Sequence, residues 1–274
     1  MNTHHTRLRS ILTGLMLSIL TAQDPFVIDT SLSSSLPQSI ANSIEIADVD
    51  NDGYNDIIMS GYDSTRFGLF IDIIKVNSQG ALTSGFSTNF ITYPDTIAEF
   101  SGGLGNLDLS DVNLDGSIDI YLNGSARSEL LMNSSSGYFS ESNWLQNMFV
   151  IHSNGKWGDV NMDGKPDLFL MGVKQPADNI LNELYLNTGT YLDEDPTTIF
   201  PALFTGSSAW GDYDNDGDPD LIIGGQTANP NSSVTRLYQN DPIGRLTEVT
   251  TADAISGIKS GAFHFSDLDS DGDL

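Results

Sequence analysis

One acidic nine-residue string recurs along the chain, and it limits the fold more tightly than any other feature. It reads DVDNDGYND at residues 48–56, DVNLDGSID at 111–119, DVNMDGKPD at 159–167 and DYDNDGDPD at 212–220. A fifth copy, DLDSDGD, occupies 267–273. The copies begin 63, 48, 53 and 55 residues apart. A period of that size marks a repeat architecture, in which no unit can bury its apolar face alone and neighbours must stack. It is longer than a hairpin needs and suits a four-stranded propeller blade.

The flanks recur too. Two residues before each first aspartate stands Ile46, Leu109, Trp157, Trp210 or Phe265, followed by a small residue: Ala47, Ser110, Gly158, Gly211 or Ser266. Beyond each complete string, Ile57, Ile120, Leu168 and Leu221 are matched two places on by Met59, Leu122, Leu170 and Ile223, and a glycine follows at 61, 124, 172 and 225. Alternation with period two predicts a strand on each side of the acidic loop with one face buried. The small residue predicts close approach of another backbone. Third strands are read in FIDIIKVN, ELLMN, NELYLN and TRLYQN, ending at Asn77, Asn133, Asn187 and Asn240. Glycines at 80, 137, 189 and 244 mark the turns into short fourth strands, such as 138–140 and 246–250. Segments 31–43 and 226–233 read as loops. The fold class is all-β: a β-propeller of four-stranded blades, with four blades and the start of a fifth in the sequence.

Charge and composition restrict the setting. The chain has 37 Asp+Glu against 11 Lys+Arg among 274 residues, a formal charge of −26 and no cysteine. Such a surface repels phosphate backbones and anionic lipid heads, which excludes nucleic acid as a partner. Disulfide staples and thiolate chemistry are excluded outright. At the N-terminus, Arg7 and Arg9 precede a ten-residue apolar run at 11–20, too short to span a bilayer of about 30 Å but suited to a signal peptide. Residues 1–23 are therefore read as a signal peptide cleaved near Ala22 or Gln23. Residues 24–42 are a lead-in, and 43–274 are the repeats. Blades are expected at about 43–98, 99–148, 149–202 and 203–256, with 257–274 opening a fifth. The expected location is extracellular or at the cell surface, the periplasm being the alternative, with no membrane insertion once the signal is removed.

The strings hold 19 of the 37 acidic residues. Two carboxylates about 4 Å apart repel by about 1 kcal/mol in water and about 4 kcal/mol at an effective dielectric of 20, so a cation should neutralise them. In the first loop Asp48, Asp50 and Asp52 alternate before Gly53; the carbonyl of Tyr54 and the carboxylate of Asp56 can complete an all-oxygen shell. The second loop offers Asp111, Asn113, Asp115, Ser117 (by its carbonyl) and Asp119, and the third Asp159, Asn161, Asp163, Lys165 (carbonyl) and Asp167. In the fourth stand Asp212, Asp214, Asp216, Asp218 (carbonyl) and Asp220; the fifth has Asp267, Asp269, Asp271 and Asp273. Oxygen ligands on a flexible loop select calcium, about one ion per complete loop and four in all. An EF-hand would need Glu at the twelfth position, where Met59, Leu122, Leu170 and Ile223 stand instead. Asn113 and Asn161 each replace a carboxylate, so loops 2 and 3 should bind more weakly than loops 1 and 4.

With these flanks the repeats resemble the FG-GAP and VCBS repeats of integrin-α-like β-propellers, through the core [small]-D-x-[DN]-x-D-G-x-x-D-[IL] and the LYLN and LYQN segments. The resemblance spans about residues 43–274. It implies a ring of about seven blades, with calcium in the loop joining the first two strands of each. On that expectation the sequence is a fragment, and the remaining blades come from further C-terminal sequence. The family includes adhesion modules, lectin-like proteins and scaffolds of polysaccharide lyases.

No catalytic constellation is visible, and the chain is read as a non-enzyme. Beyond the signal segment only His152 and His264 remain, and no nucleophile-elbow sequence occurs. Trp157 and Trp210 share a register position with Ile46 and Leu109, which favours packing over sugar stacking. The leading expectation is a secreted calcium-binding propeller that engages an extracellular protein or carbohydrate ligand in adhesion. The alternatives are the scaffold of a polysaccharide-degrading enzyme whose catalytic groups lie outside this sequence, and a structural spacer of a surface protein.

Overall fold

The computed structural model describes residues 40–63, 68–92, 106–123, 128–134, 137–145, 150–174, 179–229, 232–249, 255–259, 261–269 and 272. Residues 1–23, expected to be a signal peptide, most of the expected lead-in, and Asp271 and Asp273 lie outside the described residues. Among those described there is no α-helix, and none is long and apolar enough to cross a membrane.

The strands form four antiparallel meanders. Blade 1 comprises β1 (Ile40–Ala47), β2 (Asp56–Asp63), β3 (Gly68–Val76) and β4 (Leu82–Thr92). Blade 2 holds β5 (Asn106–Ser110), β6 (Asp119–Asn123), β7 (Glu129–Asn133) and β8 (Phe139–Glu141). Blade 3 contains β9 (Val150–Gly158), β10 (Asp167–Lys174), β11 (Asn179–Asn187) and β12 (Leu192–Asp195). Blade 4 is made of β13 (Phe204–Gly211), β14 (Asp220–Gln226), β15 (Ser233–Gln239) and β16 (Thr247–Glu248). In every sheet each strand pairs with its sequence neighbour, and the first strands of successive sheets lie against one another. These are blades of a β-propeller. The 31–43 loop reading is corrected: β1 already begins at Ile40, because its backbone pairs with β2 from Tyr62 onward.

Apolar material is divided among the seams between blades. Val49, Ile58, Ile71 and Ile73 of blade 1 meet Leu107, Ile120, Leu122 and Leu131 of blade 2. Tyr121 and Leu130 join Leu168, Leu170 and Tyr185 at the next seam, and Phe169, Met171 and Leu184 join Leu221, Ile223 and Tyr238 at the third. Each fully buried aliphatic side chain contributes about 1.5–3 kcal/mol. The expectation of one buried face fails for the second strands. All five residues of β6 and the first six of β10 are buried, because each such strand is sandwiched between two neighbouring sheets.

At two of these positions, Gly158 and Gly211, the small residue has a different cause from the one expected. A methyl group on Gly158 would lie 2.7 Å from the indole of Trp210, and one on Gly211 would lie 2.4 Å from the ring of Phe265. What approaches is the aromatic side chain of the following repeat, not a backbone. Trp210 also donates Nε1–H to the Lys156 carbonyl at 3.1 Å. Trp157 packs on the second seam and meets Tyr121 edge-to-face at 5.7 Å. Both tryptophans are packing residues. Ile46, at the same register, is 56% exposed.

Candidate metal centres

Each of the first four acidic loops connects the first and second strands of its sheet, and its backbone path is the same each time. The fourth residue is left-handed: Asn51, Leu114, Met162 and Asn215 have φ of 58°, 58°, 56° and 59°. The sixth, Gly53, Gly116, Gly164 or Gly217, has φ of 85–98°. Sequence reading finds the glycine but misses the left-handed fourth residue, for which the only cue is asparagine in two copies. Leu114 and Met162 adopt this conformation at a cost of about 1–2 kcal/mol.

The first aspartate holds the curl closed. Asp48 accepts the N–H groups of Asp52 and Gly53 at 3.0 and 2.7 Å. Asp111 does so for Asp115 and Gly116, Asp159 for Asp163 and Gly164, and Asp212 for Asp216 and Gly217, all within 2.8–3.0 Å. In the fifth loop Asp267 accepts Gly272 N–H at 2.9 Å, while Asp269 is exposed. The third acidic position turns the exit: Asp52, Asp115, Asp163 and Asp216 accept N–H from Tyr54, Ser117, Lys165 and Asp218. Asn113 and Asn161 spend their side-chain oxygen on the N–H groups of Asp115 and Asp163, both at 3.0 Å.

The last aspartate ties the loop to the sheet. Asp167 is fully buried and accepts Val160 N–H at 3.1 Å and Asn187 N–H, at the end of β11, at 2.7 Å. Asp119 accepts Val112 and Asn133 at 3.0 and 2.7 Å, and Asp220 accepts Tyr213 and Asn240 at 2.9 and 2.8 Å. Asp56 accepts Val49 at 3.4 Å and Val76 at 3.0 Å. Val76 is therefore the register partner of Asn133, Asn187 and Asn240. Asn77, which sequence reading aligns with them, instead caps its own turn by accepting Gln79 and Ala81 N–H.

From sequence, the three aspartate-bound asparagines are turn residues only. They also latch blade to blade. Asn133 donates Nδ2–H to the Val49 carbonyl at 2.7 Å, Asn187 to Val112 at 2.8 Å and Asn240 to Val160 at 2.7 Å. Each acceptor follows the first aspartate of the preceding blade's loop. No sequence pattern could show this, since the partners are 75–84 residues apart.

Among the described residues, two loops gather three carboxylates within 4.8 Å: Asp48, Asp50 and Asp56, and Asp212, Asp214 and Asp216. Buried oxygens without a hydrogen-bond partner remain on Asp50 (Oδ1), Asp218 (Oδ1) and Ser117 (Oγ). Burial pushes Asp119, Asp167 and Asp218 up to about 6; neighbouring aspartates add to it, and backbone N–H groups oppose it in the first two. Asp56 and Asp220 are raised by the same causes. Carboxylates that resist ionisation, orphaned oxygens and an all-oxygen donor set fit a hard divalent cation, most fully in loops 1 and 4. Asp218, read from sequence as a carbonyl donor, is 2% exposed and adds a fifth carboxylate to loop 4.

Residues 159–223 and 212–274 match the FG-GAP-like repeat family. Among solved structures, an Agrocybe aegerita lectin that recognises non-reducing terminal N-acetylglucosamine is 18% identical, with a TM-score of 0.44 over 74% of this chain and 50% of its own. The V. cholerae biofilm matrix protein Bap1 is 19% identical, with a TM-score of 0.44 over 79% of this chain and 29% of its own. The chain thus spans half or less of either structure's length. No curated protein matches it in sequence.

Proposed function

We propose that this FG-GAP-like propeller is a secreted calcium-binding module that engages an extracellular protein or carbohydrate ligand in adhesion. The observation that carries the calcium reading is the raised carboxylate at the entrance of each second strand, joined in loops 1, 2 and 4 by a buried oxygen without a partner. The final carboxylate of each set also holds two strands together. A cation there neutralises charge that the fold concentrates, and it strengthens the seams of a chain without cysteine. At a Kd of about 10⁻⁴ M, millimolar calcium adds about 1.4 kcal/mol per site. The extracellular setting supplies that concentration.

Calorimetry of the protein lacking residues 1–23 tests the cation: calcium should bind at several sites, and chelator should lower the melting temperature. An unmoved melting temperature would refute the reading. Glycan-array and cell-surface binding with and without calcium test the ligand. A calcium-dependent signal is expected; no signal on either would leave a structural role for the repeats.

A further inference from the structure

Loop 1 is met by a cation from the third strand of its own blade. Lys75, in β3, places its ammonium 2.7 Å from Asp50 Oδ2. The other oxygen of that carboxylate is sealed from solvent and has no partner. The lysine is held in place from the side. A methyl group on Gly137, in the turn of blade 2, would lie 3.2 Å from Lys75 Nζ and 3.4 Å from Asp50 Cβ. Register fixes the equivalent positions, because Val76, Asn133, Asn187 and Asn240 all donate to the last aspartate of their loops. The residue before each is Lys75, Met132, Leu186 and Gln239. Only the first is a cation. Gln239 reaches the matching carboxylate, Asp214, as a neutral donor at 2.5 Å. Lys165 also touches an aspartate, Asp163, but it belongs to the loop itself, two residues along the same string.

We propose that Lys75 is a resident counter-cation of loop 1. It supplies one of the two positive charges that a divalent ion supplies in loop 4, and at loop 1 lysine and ion compete for Asp50. The charge of loop 1 is then partly offset without metal, and its affinity is set below what its carboxylates alone would give. This rests on the calcium reading above and replaces the ranking by carboxylate count for this loop. Divalent binding at loop 1 must displace an ammonium packed against the neighbouring blade. That displacement breaks a charge-assisted hydrogen bond, so removing the lysine should tighten loop 1 by roughly tenfold to a hundredfold.

The test uses two substitutions to neutral side chains of the kind other blades carry at this register, Lys75→Gln and Lys75→Met. Calcium titrations by calorimetry compare the parent protein, each variant, Lys75→Arg, and Lys75→Gln combined with Asp48→Asn. The expected result is one site tightened by that factor in the Gln and Met variants, unchanged in Lys75→Arg, and absent from the double variant. Isotherms that superimpose on the parent's would overturn the proposal, as would a tightened site that survives Asp48→Asn. Should no protein in the set bind calcium, the calcium reading itself fails, a result distinct from the first.

Discussion

Blade 2 grips blade 1 through Asn133, blade 3 grips blade 2 through Asn187, and blade 4 grips blade 3 through Asn240. Blade 1 carries Val76 at the same register, with no polar group to offer. Its leading face differs as well: Ile44 and Ile46 are 38% and 56% exposed, where Trp157 and Trp210 pack against the seams. Its loop is reached by a lysine from the third strand, where blades 2–4 carry a neutral side chain at that position. The same nine-residue string therefore serves two settings. The third strand donates a latch in blades 2–4 but not in blade 1, whose string accepts one through Val49 and meets a lysine at Asp50.

The largest expected difference lies in the last aspartate. Asp167→Ala strands two buried backbone donors, and urea denaturation in chelator should show a loss of about 3 kcal/mol or more. Asp56→Ala should cost less, because its bond to Val49 is already stretched to 3.4 Å. Equal losses would erase the contrast between the blades.

Next comes the latch. Asn187→Ala should destabilise by about 1–3 kcal/mol through the unpaired Val112 carbonyl and the broken bond to the Pro166 carbonyl. Val76→Ala, which removes two methyl groups from a half-buried site, should cost less in the same assay.

A pH series separates charge from structure. Asp119 and Asp167 titrate near 6 in the folded protein, above the ordinary carboxylate value of 3.8. The native state therefore binds more protons between those values, and metal-free stability should fall as pH rises from about 4 to 6. Saturating calcium favours the ionised forms, so stability should rise over that window instead. Melting temperatures across both series check the crossing of slopes. Parallel series would count against cations in these loops.

The smallest effect sharpens the comparison among loops. Leu114→Asn should stabilise by about 0.5 kcal/mol, since asparagine tolerates the left-handed conformation that leucine resists. Asn51→Gly and Asn215→Gly, at the same position, should change denaturation midpoints little.

Much of this is readable in order along the chain. The acidic strings, the flanking alternation and the Asn and Gly turns define the four-strand unit, because each is a local pattern within one strand or loop. Asp48, Asp111, Asp159 and Asp212 are identifiable as loop carboxylates for the same reason. Sequence reading slips wherever a partner comes from elsewhere. Asn77 aligns with the latch asparagines because it too ends a third strand, and only pairing with Asp56 shows that Val76 holds that register. Gly158 and Gly211 are recognisable as small without sight of the rings that require it.

Sequence by itself determined the number of repeats, their strand order and the oxygen-rich chemistry of their loops. These are encoded in period, spacing and side-chain type, all of which act over a few residues. Tertiary structure alone decided which carboxylates are buried, which asparagines cross a seam, and that a lysine occupies the first loop. Those depend on side chains brought together from positions tens of residues apart, where burial and electrostatic energy follow distance in space.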